Sequence, residues 1–93
     1  MNKIDHYRIE NGNTVRLEAA NVAGRVHMKG SGDIHAYVSM EGMKYTEVPH
    51  LQSFDEGVAE FPINCFIGDK LMFTADTITD FQINWNNDER SRR

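Results

Sequence analysis

Ile34-His35-Ala36-Tyr37-Val38-Ser39-Met40 is the stretch that decides the fold class. Its aliphatic residues fall on every second position, and the residues between them are polar or amphipathic. A helix would bring its apolar residues together at three- and four-residue spacings. A pleated strand sends successive side chains to opposite faces. The segment is therefore expected to be a strand with Ile34, Ala36, Val38 and Met40 on a core face. His35, Tyr37 and Ser39 then face water or a partner.

The same two-residue period runs outward in both directions. Val15, Leu17 and Ala19 alternate with Thr14, Arg16 and Glu18, and Val26 and Met28 with Arg25, His27 and Lys29. Leu71, Phe73 and Ala75 alternate with Lys70, Met72 and Thr74, and Phe81, Ile83 and Trp85 with Asp80, Gln82 and Asn84. Turn-forming residues separate the runs: Asn11-Gly12-Asn13, Gly30-Ser31-Gly32-Asp33, Glu41-Gly42, Gly68-Asp69 and Asp76-Thr77. This punctuation marks about eight short strands, the first near residues 4–10, and predicts an all-β, antiparallel β-sandwich that is jelly-roll-like. An immunoglobulin-like strand order is the alternative. Pro62 interrupts the strand near 57–63. Proline has no N–H for a ladder, so this strand belongs at a sheet edge or ends there. Residues 17–23 contain helix formers ahead of Gly24, but the alternation favours strand through Ala19 followed by a bulge or turn. Pro49 to Glu56 is the least periodic segment and is expected to be the longest loop.

At 93 residues the chain holds one domain, with residues 1–89 as a single β-sandwich and 90–93 as a basic tail expected to be flexible. The 40% apolar content excludes disorder along most of its length. Cys65 is the single cysteine, so no disulfide forms within the chain. It reads as a small buried hydrophobe. The first residues lack the apolar run of a signal peptide, and no stretch approaches the ~18 apolar residues of a membrane span. The expected location is the cytoplasm, or a virion if the chain is phage-derived.

Charge is uneven. Residues 1–40 carry five basic and four acidic residues, whereas 41–89 carry two basic and ten acidic. Three arginines, Arg90, Arg92 and Arg93, close the chain. The acidic half argues against nucleic-acid binding through the folded domain, because phosphate affinity needs clustered cations.

No phosphate-cradling glycine loop, nucleophile elbow or His-Glu-x-x-His pattern is present, and Asp55-Glu56 reads as a solvated loop pair. The expectation is therefore no enzyme, no catalytic residues and no cofactor. His27 and His35 sit on the polar phase of neighbouring strands joined by a short turn. Asp33 is the one close third ligand, so a pair of surface histidines is preferred to a metal site. The polar phase of the third and fourth strands, Arg25, His27, Lys29, His35 and Tyr37, is the richest in cations and is expected to be a protein contact face. The alternative is a carbohydrate platform built from Tyr37, Tyr45 and Trp85. Trp85 shares its phase with Phe81 and Ile83, which points it inward.

Tyr37 to Val48 forms a strand, an acidic-Gly turn and a second strand, with aromatics on both arms. This hairpin resembles the Ser-x-acidic-Gly hairpin of jelly-roll and discoidin-like modules. It is similar to one in small phage-type virion β-sandwich proteins that serve as capsid decorations or as head or tail appendages. The chain departs from the pattern with Glu41 in place of Asp and Tyr45 where Trp is common. The resemblance covers about a dozen residues and implies a non-enzymatic structural or assembly protein. Its expected partners are its own copies, with a trimer favoured, and a larger capsid or tail assembly. Membrane binding is not expected.

Overall fold

The computed structural model describes residues 3–39, 44–48 and 52–86. Among these residues there is strand and no helix, and none of the chain described is a helix long and apolar enough to cross a membrane. The strands are β1 (Lys3–His6), β2 (Thr14–Glu18), β3 (Ala23–Ser31), β4 (Asp33–Ser39) and β5 (Thr46–Glu47). They continue with β6 (Gln52–Ser53), β7 (Val58–Asn64), β8 (Lys70–Thr74) and β9 (Thr77–Trp85).

Two antiparallel sheets face each other. One has the order β1-β9-β3-β7, and the other has the order β2-β8-β4-β5 with β6 also paired to β4. Each sheet interleaves strands from the two ends of the chain, and apart from β4, β5 and β6, which share one sheet, consecutive strands cross between the sheets. This is the jelly-roll order, so the immunoglobulin-like alternative is set aside. β5 pairs with Tyr37 and Val38 of β4, while β6 pairs with Asp33 and Ile34. The two short strands divide one edge of β4 between them. β6 therefore lies inside the stretch Pro49–Glu56 that the sequence suggests is a loop. The first strand is also shorter than expected and stops at His6. The turn Glu41-Gly42 and the tail 90–93 lie outside the described residues.

The alternating positions form the core. Val15, Leu17, Val26, Met28, Ile34, Leu71, Phe73, Phe81, Ile83 and Trp85 are all buried. Ala36, Val38 and Ala75 are partly buried against them. Aromatic rings join the two layers. Phe73 of one sheet lies 5.1 Å from Phe81 and 6.2 Å from Phe61 of the other, measured between ring centroids. Fully burying a side chain such as Phe contributes roughly 1.5–3 kcal/mol, so this cluster is a main source of sheet-to-sheet cohesion. Residues 17–23 form no helix; β2 ends at Glu18, one residue before the expected Ala19, and the chain then turns. Gly68 and Asp69 tie that turn to the β7–β8 connection through backbone bonds with Ala19 (3.0 and 2.8 Å).

Two residues show why local sequence matters. β3 and β9 lose register between Lys29 and Gly30, and a Cβ on Gly30 would overlap the Thr77 carbonyl oxygen. Only glycine admits this approach. β7 is an edge strand, as Pro62 requires. The Gly30 N–H donates to Gly57 and the Cys65 N–H to Val22, so the bonded pairs of the β3–β7 ladder are those in phase with them, Val26 with Phe61 included. Pro62 opposes Arg25 on the other phase. Its nitrogen faces away from β3, and no ladder bond is lost.

Candidate functional site

The turn Gly30-Ser31-Gly32-Asp33 carries the chain from one sheet to the other and does not close a hairpin. β3 pairs with β7 and β9, and β4 pairs with β5, β6 and β8. The expected contact face is therefore divided. Arg25, His27 and Lys29 lie on the outer surface of the four-stranded sheet. His35 and Tyr37 lie on the outer surface of the five-stranded sheet, pointing the opposite way. Glu60 holds the first group, accepting from Arg25 Nε at 2.6 Å and lying 3.1 Å from His27 Nδ1. The Arg25 guanidinium keeps the Glu60 carboxyl below the usual carboxylate range. His35 Nδ1 lies 2.6 Å from Glu47 of β5. His27 and His35 therefore have separate carboxylate neighbours. Among the described residues no three His, Cys, Asp or Glu side chains converge on a common point.

The aromatic candidates separate as well. Trp85 is 1% exposed, and its Nε1–H donates to Tyr7 Oη at 2.8 Å. It belongs to the core and forms no surface platform. Tyr37 and Tyr45 do share a face. Tyr37 is paired with Glu47, and Tyr45 lies two residues before Glu47 on the same arm. Alternation sends both side chains outward, within diagonal reach of each other. Met72 of β8 pairs with both Arg16 and Tyr37, which continues the same row. Tyr45 is close enough to interact electrostatically with Arg16 and Lys70. Those two cations are engaged, Arg16 with Glu10 and Lys70 with Glu18, each at 2.5 Å. This surface presents two phenols and a thioether among paired charges, a composition suited to binding and without a nucleophile or general base set apart by its surroundings.

A third feature lies between the sheets at their β4–β7 side. There the connection from β7 to β8 projects Phe66 and Ile67, which are 71% and 62% exposed. The projection is built into the backbone. Asp69 N–H donates to the Phe66 carbonyl at 3.0 Å, closing a four-residue turn whose third residue, Gly68, has φ +94°. This is the geometry of a type II turn, which favours glycine at that position. The Asp69 carboxylate accepts the Phe66 N–H at 3.0 Å and braces the turn from inside. The two apolar side chains are held outward by a fixed loop. Phe66 and Val48, the latter 38% exposed, border one apolar cavity of about 410 Å³ between β4 and β7. Period-two reading passes over Phe66 and Ile67 because consecutive apolar residues after Cys65 look like more core. The signal lay in Gly68-Asp69 directly behind them, which places both residues on a turn.

Cys65 stands at the same end, half-buried, with its Sγ–H donating to the Asn21 carbonyl at 3.3 Å. Burial, with a smaller contribution from the Asp69 charge, pushes its thiol up to about 11. A thiol so protonated is a poor nucleophile at neutral pH. No protein-family model matches the chain, and no curated protein or solved structure matches it significantly.

Proposed function

We propose that this chain is a non-enzymatic assembly subunit that docks onto other protein subunits, its own copies among them, through the Phe66–Ile67 turn and neighbouring Val48. In its most specific form the proposal is a virion subunit, a capsid decoration or head or tail appendage, with a trimer as the favoured homo-oligomer. One observation carries the assembly reading. Two adjacent large apolar side chains are held in solvent by a braced turn beside further exposed apolar surface. Isolated exposed apolar residues need no explanation, but a clustered set at a rim is the mark of an interaction site. The small jelly-roll architecture, common among capsid proteins and lectins, supports the virion form by analogy of fold. Sedimentation velocity tests the reading. The wild type is expected to sediment as an oligomer, and the double variant Phe66→Ser with Ile67→Ser as a folded monomer. A wild type that stays monomeric at high concentration, or a variant that assembles unchanged, overturns self-assembly through this turn.

A second reading is favoured by a separate observation, the shared outward face of Tyr37 and Tyr45. Tyrosines on a sheet surface offer stacking area and hydroxyls to a sugar, so a carbohydrate-binding module is the alternative. Replacing both by alanine is expected to abolish glycan-array signals if this face binds sugar. An empty array for the wild type removes the reading.

A further inference from the structure

The cavity between the sheets is wider than a packing defect. Ala36 and Val38 of β4 form one wall, Phe61 and Ile63 of β7 the other, and Leu71 and Phe73 of β8 its back. Its volume, about 410 Å³, falls in the range of small-molecule sites. A cavity of about 150 Å³ with similar aliphatic and aromatic walls holds a benzene ring. This one has room for a longer body, such as a medium-length alkyl chain or a two-ring hydrocarbon.

The polar side chains that border it narrow the chemistry. The inward ones are Cys65 and Asp69, while Tyr37 and Asn64 border it on strand positions whose side chains face outward. The Cys65 thiol donates to the Asn21 carbonyl, and the Asp69 carboxylate accepts the Phe66 N–H. Ordered water needs two to four polar partners, and these two inner groups are already engaged in bracing the fold. The Asp69 side chain also places negative charge at the wall, so an anionic headgroup would meet repulsion there. We infer that this cavity is a binding site for a neutral, slender apolar molecule that enters between β4 and β7 and lies against Leu71 and Phe73. The cavity shares Phe66 and Val48 at its border with the proposed docking surface, but a ligand lying against Leu71 and Phe73 does not require docking, and docking does not require the ligand.

A methyl-NMR titration of the full chain with 1-decanol and with decanoate tests the inference. The Ile67→Ser protein, run in parallel, separates ligand binding from assembly. Decanol is expected to give saturable shifts centred on Val38, Ile63 and Leu71, with nuclear Overhauser contacts from its alkyl chain to Leu71 and Phe73. Decanoate, the same chain with a charged end, is expected to bind at least about tenfold more weakly. Filling the space with Ala36→Leu, or from the opposite wall with Ile63→Phe, is expected to weaken decanol by about tenfold or more while preserving the amide spectrum. Absence of saturation up to the solubility limit overturns the site. So do contacts confined to Phe66 and Ile67, or affinity unchanged in a folded cavity-filled variant. Equal affinity for decanoate overturns the preference for neutral ligands. If neither filled variant folds, the wild-type contacts to Leu71 and Phe73 decide.

Discussion

The two sides of the sandwich are built differently. On the β1–β9 side, Trp85, Phe81 and Ile83 are essentially inaccessible, and Tyr7 closes over them. The Tyr7 ring meets Phe81 edge-on at 6.0 Å and its hydroxyl accepts the Trp85 N–H. Tyr7 Oη in turn faces the Asp5 carboxylate at 3.4 Å. On the β4–β7 side the layers part around a cavity, the edge of β4 is shared by two two-residue strands, and Phe66 and Ile67 stand in water. One side spends its apolar residues on its own stability. The other leaves them available, which is what a binding surface needs.

This contrast is sharpest in its cost of truncation. Phe81→Ala is expected to lower stability by about 3–5 kcal/mol, because its dense surroundings cannot collapse around the gap. Ile63→Ala, on the open side, should cost distinctly less, since that wall already borders empty volume. Urea denaturation of both variants checks the difference, and equal losses would mean that the two sides are packed alike. Next in size, Tyr7→Phe keeps the ring but strands the Trp85 N–H, at an expected cost of about 1–3 kcal/mol. A neutral result there would show that water replaces the hydroxyl and that this side is open to solvent.

Alkaline pH separates the sides in another way. The Cys65 thiol is raised in the fold from 9.0 to about 11. A group whose folded value is raised supports the fold below its unfolded value, and that support is lost as pH climbs through the folded one. The wild type is therefore expected to lose stability between pH 9 and about 11, and Cys65→Ala to lose less over the same interval. Burial also raises the Tyr7 phenol, which adds an alkaline loss shared by both proteins. Denaturation midpoints at neutral pH and at about pH 10.5 measure the difference. The smallest stability effect belongs to Ile67→Ser, expected within about 0.5 kcal/mol of wild type because the residue supports nothing inside. Its expected consequence is weakened self-assembly in sedimentation. A large stability loss would instead make Ile67 part of the core.

Alternation made the layers legible in the sequence. Val15, Leu17, Phe73, Phe81 and Ile83 alternate with polar neighbours because each strand has one dry face, and all of them are buried. Pro62 was readable for an equally local reason, its missing donor. The pairing of strands was not. A glycine-rich connection such as Gly30–Asp33 serves a hairpin or a crossing between sheets equally well, and nothing in a two-residue period records which sheet a strand joins. That ambiguity joined Arg25, His27 and Lys29 to His35 and Tyr37 as one face. Tyr37 and Tyr45 were legible together because their hairpin, β4 with β5, closes locally. The turn at Phe66 depends on the Asp69 brace, a contact between backbone and carboxylate that no periodicity encodes.

Pro62 has a consequence for life at high concentration. A surface strand normally offers a ladder of free amides to any similar strand, and repeated pairing of that kind grows fibres. With a ring where one outward amide would be, β7 is a poor template for such stacking. Copies of the chain at high concentration are thereby steered away from endless ribbons.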